Sequence, residues 1–144
     1  MAEAMAIYQD LLDTMGDALV AGEADAFLRH IFLPCRIETD DDAIVIDTDA
    51  LARRHFDGFH RALRAQHVDA YTRIARAATF DGPDKIHGQH ETIITSAGKL
   101  VAPRFDNQME ISRRGDIWGT DWVRHHTRYV SWPDLLPRGR GPAP

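Results

Sequence analysis

A single cysteine, Cys35, in 144 residues rules out an internal disulfide framework. Lysine is almost missing too: Lys85 and Lys99 are the only two, so the positive charge is nearly all arginine. With 22 acidic against 17 basic residues and a net charge of -5, the chain lacks the basic excess that nucleic acid or an anionic membrane would select. No apolar run approaches the roughly 18 residues of a membrane span. The N-terminus has no basic stretch leading into an apolar one, so the expected location is cytoplasmic. Gly-rich phosphate loops, GxSxG elbows and internal repeats are missing as well.

Metal chemistry is equally thin. His87 and His90 are three apart on a strand and face opposite sides, while His55 and His60 are five apart on a helix, poor spacing for one ion. Asp40, Asp41 and Asp42 lack the glycine and the twelfth-position glutamate of a calcium loop. The expectation is no metal and no cofactor.

What is present is a strong period of two near the C-terminus. Between Leu100 and Ser112 the apolar residues Val101, Pro103, Phe105, Met109 and Ile111 share one parity, and Arg104, Asp106, Gln108, Glu110 and Ser112 share the other. Turn signals at Ala97-Gly98 and Gly115-Asp116 divide residues 84–132 into three successive antiparallel strands. A further strand is expected from Ala70 to Phe80, closed by the turn Asp81-Gly82-Pro83-Asp84.

The first half reads as helices. Tyr8, Leu11, Leu12, Met15 and Leu19 recur at helical spacing from Ala2 to Ala21, and Gly22 ends the run. A short helix capped by Asp25 carries Phe27, Leu28 and Ile31 and must stop before Pro34. Two short strands, Cys35 to Thr39 and Ala43 to Ile46, flank the acidic turn. A third helix starts at Asp47 or Thr48 and runs to about Gln66 with Leu51, Phe56, Phe59 and Leu63 buried. After Trp132 the tail holds four of the seven prolines, so residues 1–132 are expected to form one domain and 133–144 an irregular tail.

This order of elements, the LPCRIETDD passage before the third helix and the ending RRGDIWGTDWVRHHTRY resemble the nuclear-transport-factor-two-like superfamily, in its SnoaL-like and ketosteroid-isomerase-like branch. The resemblance spans residues 3 to 132. It implies an α+β, cystatin-like conical fold in which N-terminal helices pack inside a strongly curved antiparallel sheet, around an apolar cavity and commonly in a homodimer. The fold hosts isomerases, dehydratases, cyclases and epoxide hydrolases, as well as non-catalytic subunits and transport factors, so it does not choose among them.

Hairpin arithmetic gives a candidate site. A two-residue loop at Ala97-Gly98 sets His90 opposite Phe105, and one at Gly115-Asp116 sets Met109 opposite Trp122, Asn107 opposite Arg124 and Phe105 opposite His126. The expected ligand-binding wall is Tyr71, Arg73, Thr92, Phe105, Asn107, Trp122 and Arg124. His126 and His90 are the candidate acid or base groups, because imidazole titrates near neutrality. A slip of one residue in a turn would instead send Asp106, Asp121 and His125 inward. The aromatic row is also what a packed core would show. The expected function is binding of a small, apolar molecule, cyclic ones included, with isomerisation, dehydration or cyclisation by proton transfer if catalytic. The alternative is a ligand carrier, sensor or structural subunit. The opposite parity, with Ile93, Ala102, Val123 and Tyr129 among polar residues, is the expected homodimer face.

Overall fold

In the computed structural model the described residues are 2–127, 130–131 and 136–137. Helix α1 spans Ala2–Ala21 and buries the Tyr8, Leu12, Met15 and Leu19 stripe. Gly22 closes it at φ 77°, in the left-handed region where glycine is unstrained. The next helix, α2, covers only Ala24–Leu28. The helix expected to include Ile31 stops earlier because the sheet claims the backbone there. Thr120 N–H donates to the His30 carbonyl at 2.8 Å, and His30 Nδ1 donates to the Trp118 carbonyl at 2.7 Å.

Strand β1 therefore begins at Ile31, runs through Pro34 to Glu38, and forms an antiparallel hairpin with β2, Ala43–Ile46. Helix α3, Asp49–Ala65, is capped by Thr48, whose hydroxyl accepts from Leu51 N–H at 3.1 Å. It turns Phe56, Phe59 and Leu63 inward.

The remaining strands are β3 (Ala70–Phe80), β4 (Lys85–Ser96), β5 (Lys99–Leu100), β6 (Phe105–Arg114) and β7 (Ile117–His126). The main sheet runs β2-β1-β7-β6-β4-β3, with β5 paired to β4. It is mixed, not wholly antiparallel as expected, because β1 lies parallel to β7. Those two strands are far apart in sequence, and no turn signal records how they meet.

Two irregularities decide which side chains face the helices. Ser96 pairs with Lys99 as expected, but Phe105 pairs with Thr92 and Asn107 with His90. Residues 102–104 form a kink that shifts the register by two, and Pro103 has no N–H to continue the ladder. A shift of two keeps every side chain on its face. Between β6 and β7 the pairing runs regularly from Arg114↔Ile117 to Ile111↔Thr120, then jumps to Glu110↔Trp122, leaving Asp121 as an extra residue. This bulge shifts the register by one and reverses the faces beyond it. Thr120 Oγ1 stitches it together, donating to the carbonyls of Glu110 and Trp122 at 2.8 and 3.0 Å and accepting from Trp122 N–H at 3.2 Å.

Helix α1 lies against β3, one of the two edge strands of the sheet. Gln9 covers that edge: its Oε1 accepts from Ala75 N–H at 2.8 Å and its Nε2 donates to the Arg73 carbonyl at 2.8 Å. Tyr8 lies flat on the sheet because Gly88 has no side chain there; a Cβ would sit 2.1 Å from the tyrosine ring. Two apolar clusters result, one under α1 and β1 around Leu12 and Met109, the other under α3 around Phe56 and Phe105.

Val130–Ser131 pairs with Leu136–Pro137, so the tail expected to be irregular contains one short ladder. The rest of residues 133–144, together with Arg128, Tyr129 and Trp132, lies outside the described residues.

Candidate ligand cavity

Where the two apolar clusters meet, the helices and the sheet leave a cavity of about 80 Å³. One water needs only about 10–15 Å³, and an engineered apolar cavity of roughly 150 Å³ admits benzene, so this space, about half that size and partly open, takes part of a compact organic group while the rest reaches into the opening. Met15 and Leu19 from α1, Phe56 and Phe59 from α3, and Cys35 and Ile37 from β1 supply apolar walls, completed by Met109 and Val123. Polar groups enter from β3, β7 and α3: Tyr71, Arg73, Thr120, His125 and His55.

The expected wall divides into three groups. Tyr71 and Arg73 line the cavity. His90, Thr92, Phe105 and Asn107 are buried on the inner face, but they back the wall instead of lining it. Trp122, Arg124 and His126 are corrected to the outer face, because the Asp121 bulge reverses β7 and sends Val123 and His125 inward in their place. Arg124 and Trp122 there bind one carboxylate, Glu38, at 3.1 Å each. His126 sits in an exposed outer cleft with Arg76, Gln89 and Gln108. Asp106 stays exposed, and Asp121 is half-buried. The expected dimer face loses apolar area, since Val123 points inward and Ala102 is buried in the kink.

A chain of short hydrogen bonds holds His125. Thr92 Oγ1 donates to Asn107 Oδ1 at 2.6 Å, and Asn107 Nδ2 donates to His125 Nδ1 at 2.6 Å. In this orientation the imidazole hydrogen is on Nε2, which has no protein partner among the described residues. The Phe105 ring meets His125 edge-on at 5.9 Å. Burial, then Arg73, then His126 push the His125 pKa down to about 3, so the ring is neutral.

Next to it, Tyr8 OH lies 2.6 Å from His90 Nδ1. A phenol hydrogen needs an acceptor, so Tyr8 is the donor and His90 carries its hydrogen on Nε2, which is buried with no hydrogen-bond partner among the described residues. Burial first, then Arg73 and His125, hold the His90 pKa well below its ordinary value. Burial raises the Tyr8 phenol, with Arg73 opposing in part. Burial also pushes the Cys35 thiol up to about 12, with Asp121 adding to the effect, so Cys35 is no nucleophile at neutral pH.

Tyr8 was not legible as a site group in the sequence, and His125 was legible only as the alternative that a one-residue slip brings inward. Tyr8 belongs to an ordinary apolar helix stripe. For His125 a signal existed: Gly119, inside a strand pattern, marks bulges and close approaches. A Cβ on Gly119 would lie 2.6 Å from the Phe32 ring, which packs beside the bulge.

No protein-family model matches the chain, and no curated protein matches it. Solved structures do. An NTF2-like protein with a cystatin-like fold from Novosphingobium aromaticivorans is 17% identical, covers 91% of this chain and 86% of its own, and superposes with a TM-score of 0.67. A cystatin-like domain of unknown function from Nostoc punctiforme is 8% identical over 92% of this chain and 81% of its own, with a TM-score of 0.66. An NTF2-like protein of unknown function from Shewanella oneidensis is 10% identical over 88% of this chain and all of its own, with a TM-score of 0.62. At these identities the likeness is one of fold: an NTF2-like, cystatin-like α+β cone.

Proposed function

We propose that this NTF2-like fold is a small-molecule-binding domain of the SnoaL-like kind, taking one compact, mostly apolar molecule between α1, α3 and the inner face of the sheet. The observation that carries this reading is the cavity itself, an apolar space of about 80 Å³ with Arg73 and His125 in its wall. Trp122, one of the side chains that could have filled it as core, stands on the other face beside Glu38. Pockets of this kind, apolar with a few placed polar groups, are typical small-molecule sites.

Isomerisation, dehydration and cyclisation by proton transfer rank behind binding. Each needs a base effective near neutral pH. His126, the expected base, is on the outer face; His125, at about 3, is a weak base, and His90 is also held neutral, which leaves His55 of α3 as the remaining imidazole in the cavity wall. No aspartate or glutamate is among the described residues that line the cavity. What the cavity offers is hydrogen-bond donors, which suits holding a ligand. Assembly as a homodimer through the outer face belongs to the same proposal, with Trp122, Arg124 and Glu38 as its surface, and a monomeric mass by light scattering would remove it.

The test is calorimetric titration with compact cyclic probes, beginning with cyclohexanone, against the parent chain and Val123→Phe. The larger side chain fills the cavity at a cost of about 1–3 kcal/mol. Saturable binding lost in that variant while its circular dichroism stays native supports the reading. Binding that survives unchanged places the site elsewhere.

A further inference from the structure

Arg73 is the one arginine or lysine among the described residues lining the cavity, and no carboxylate accompanies it there. Its guanidinium lies 5.5 Å from the centre of the Tyr71 ring, and one amino group donates to the Leu12 carbonyl of α1 at 3.0 Å. The Nε atom is buried and has no hydrogen-bond partner among the described residues. The carboxylate that acts on it electrostatically is Asp13, which is exposed and already accepts from Gln9 Nε2 at 2.9 Å. An arginine does not shed its charge in a protein, so a positive group stands half-buried in an apolar wall, with no carboxylate among the described residues hydrogen-bonded to it.

That arrangement is unfavourable, because a buried charge needs a partner. It is also out of keeping with this molecule. Arg36 and Arg124 share Glu38, Arg76 and Arg104 share Glu91, and Arg113 pairs with Asp84. Arg73 alone among these is turned toward an unfilled space. Beside it, His125 offers an unpartnered Nε2–H, and its neutral ring adds no second charge.

We infer that the ligand is a monoanion: a small branched, alicyclic or aromatic carboxylate whose oxygens meet the Arg73 guanidinium and the His125 Nε2–H while its hydrocarbon part fills the apolar space. This rests on the cavity reading above and narrows it to one chemical class. A phosphate or sulfate ester fits poorly, since a single cation in apolar walls leaves most of its oxygens without donors. A carboxylate matches the planar fork of one guanidinium.

Calorimetry on the whole chain at pH 7 tests this with isobutyrate, cyclopentanecarboxylate and benzoate, each against its own carboxamide. A charge-assisted hydrogen bond makes each acid bind on the order of ten- to a hundredfold tighter than its amide, and Arg73→Gln removes that difference. If acids and amides bind the parent alike, the inference is overturned while the cavity reading stands. If neither they nor cyclohexanone bind, both are overturned. A second measurement covers failure of the variant to fold: in the parent, the Arg73 Nε–H resonance shifts on saturation with benzoate and not with benzamide. An Nε–H unmoved by bound benzoate overturns the inference.

Discussion

The two faces of the central strands use arginine in opposite ways. Outside, carboxylates and guanidinium groups cancel: Glu91 accepts from Arg104 and Arg76, which hold its pKa down to about 2, and Glu38 is lowered by Arg36, Trp122 and Arg124. Inside, Arg73 faces neutral imidazoles, a phenol and hydrocarbon. Charge that is paired on the surface has little left to offer a ligand and contributes little to stability. Charge that is buried and unpaired is unfavourable until something binds it. The face of a side chain therefore matters more than its type, and in β7 one bulge sets the face.

The hardest way to break this contrast is to shift β7 by one residue beyond the bulge. An alanine inserted between Trp122 and Val123 should turn Arg124 and His126 inward and expel Val123 and His125, whereas deleting Asp121 closes the bulge and leaves Met109↔Val123 and Asn107↔His125 in place. Burying unpaired charge and emptying core positions together belongs with the most damaging changes, on the order of 5 kcal/mol, read from urea unfolding of the insertion variant. A stability of that variant within about 1 kcal/mol of the parent would show that the register of β7 does not determine the faces.

Next in size is the seat of Tyr8. Gly88→Ala places a methyl 2.1 Å from a buried ring that can move only by lifting α1 from the sheet. A loss of about 1–3 kcal/mol is expected, with Tyr8→Phe similar because His90 Nδ1 loses its donor.

Acid should distinguish the faces by pH window. His125 and His90 have folded pKa values below the ordinary value, so the unfolded chain takes up their protons first. Their stabilisation is present in full above about pH 6.5 and is lost as pH falls below it. Glu38 and Glu91 are lowered carboxylates, so theirs is lost only below about pH 4.5. Between those limits the unfolding free energy should fall with a slope of up to about 1.4 kcal/mol per pH unit for each histidine, read from urea unfolding at each pH. His125→Gln should make the slope shallower.

The smallest effects compare the arginines directly. Arg124→Ala should cost no more than about 1 kcal/mol, as for exposed pairs. Arg73→Met should leave the ligand-free chain as stable or stabilise it by about 1 kcal/mol, because an unpaired buried charge gives way to hydrocarbon. A loss of several kcal/mol would mean that Arg73 holds the fold together.

The sequence made most elements legible, because helix stripes and strand alternation are local. Ala2–Ala21, Ala43–Ile46 and Ala70–Phe80 have the expected bounds. Phe105, Asn107, Met109 and Ile111 face inward as their parity requires, and the shift of two at Pro103 was harmless because it preserves parity. The shift of one at Asp121 was not harmless. It depends on Thr120 bonding across the ladder and on Phe32 packing against Gly119, contacts between distant segments that strand periodicity does not encode. The same distance hid the β1–β7 pairing and the place of Tyr8 over His90.

One spectrum reads both faces at once. With methyl-labelled methionine and valine and indole-labelled tryptophan, cyclopentanecarboxylate is added to the parent chain. The methyls of Met15, Met109 and Val123 should shift saturably together, while the Trp122 indole N–H, held by Glu38 on the far side of the sheet, should stay in place. A saturable shift of the Trp122 indole with those three residues unmoved would contradict the account, placing the site on the outer face.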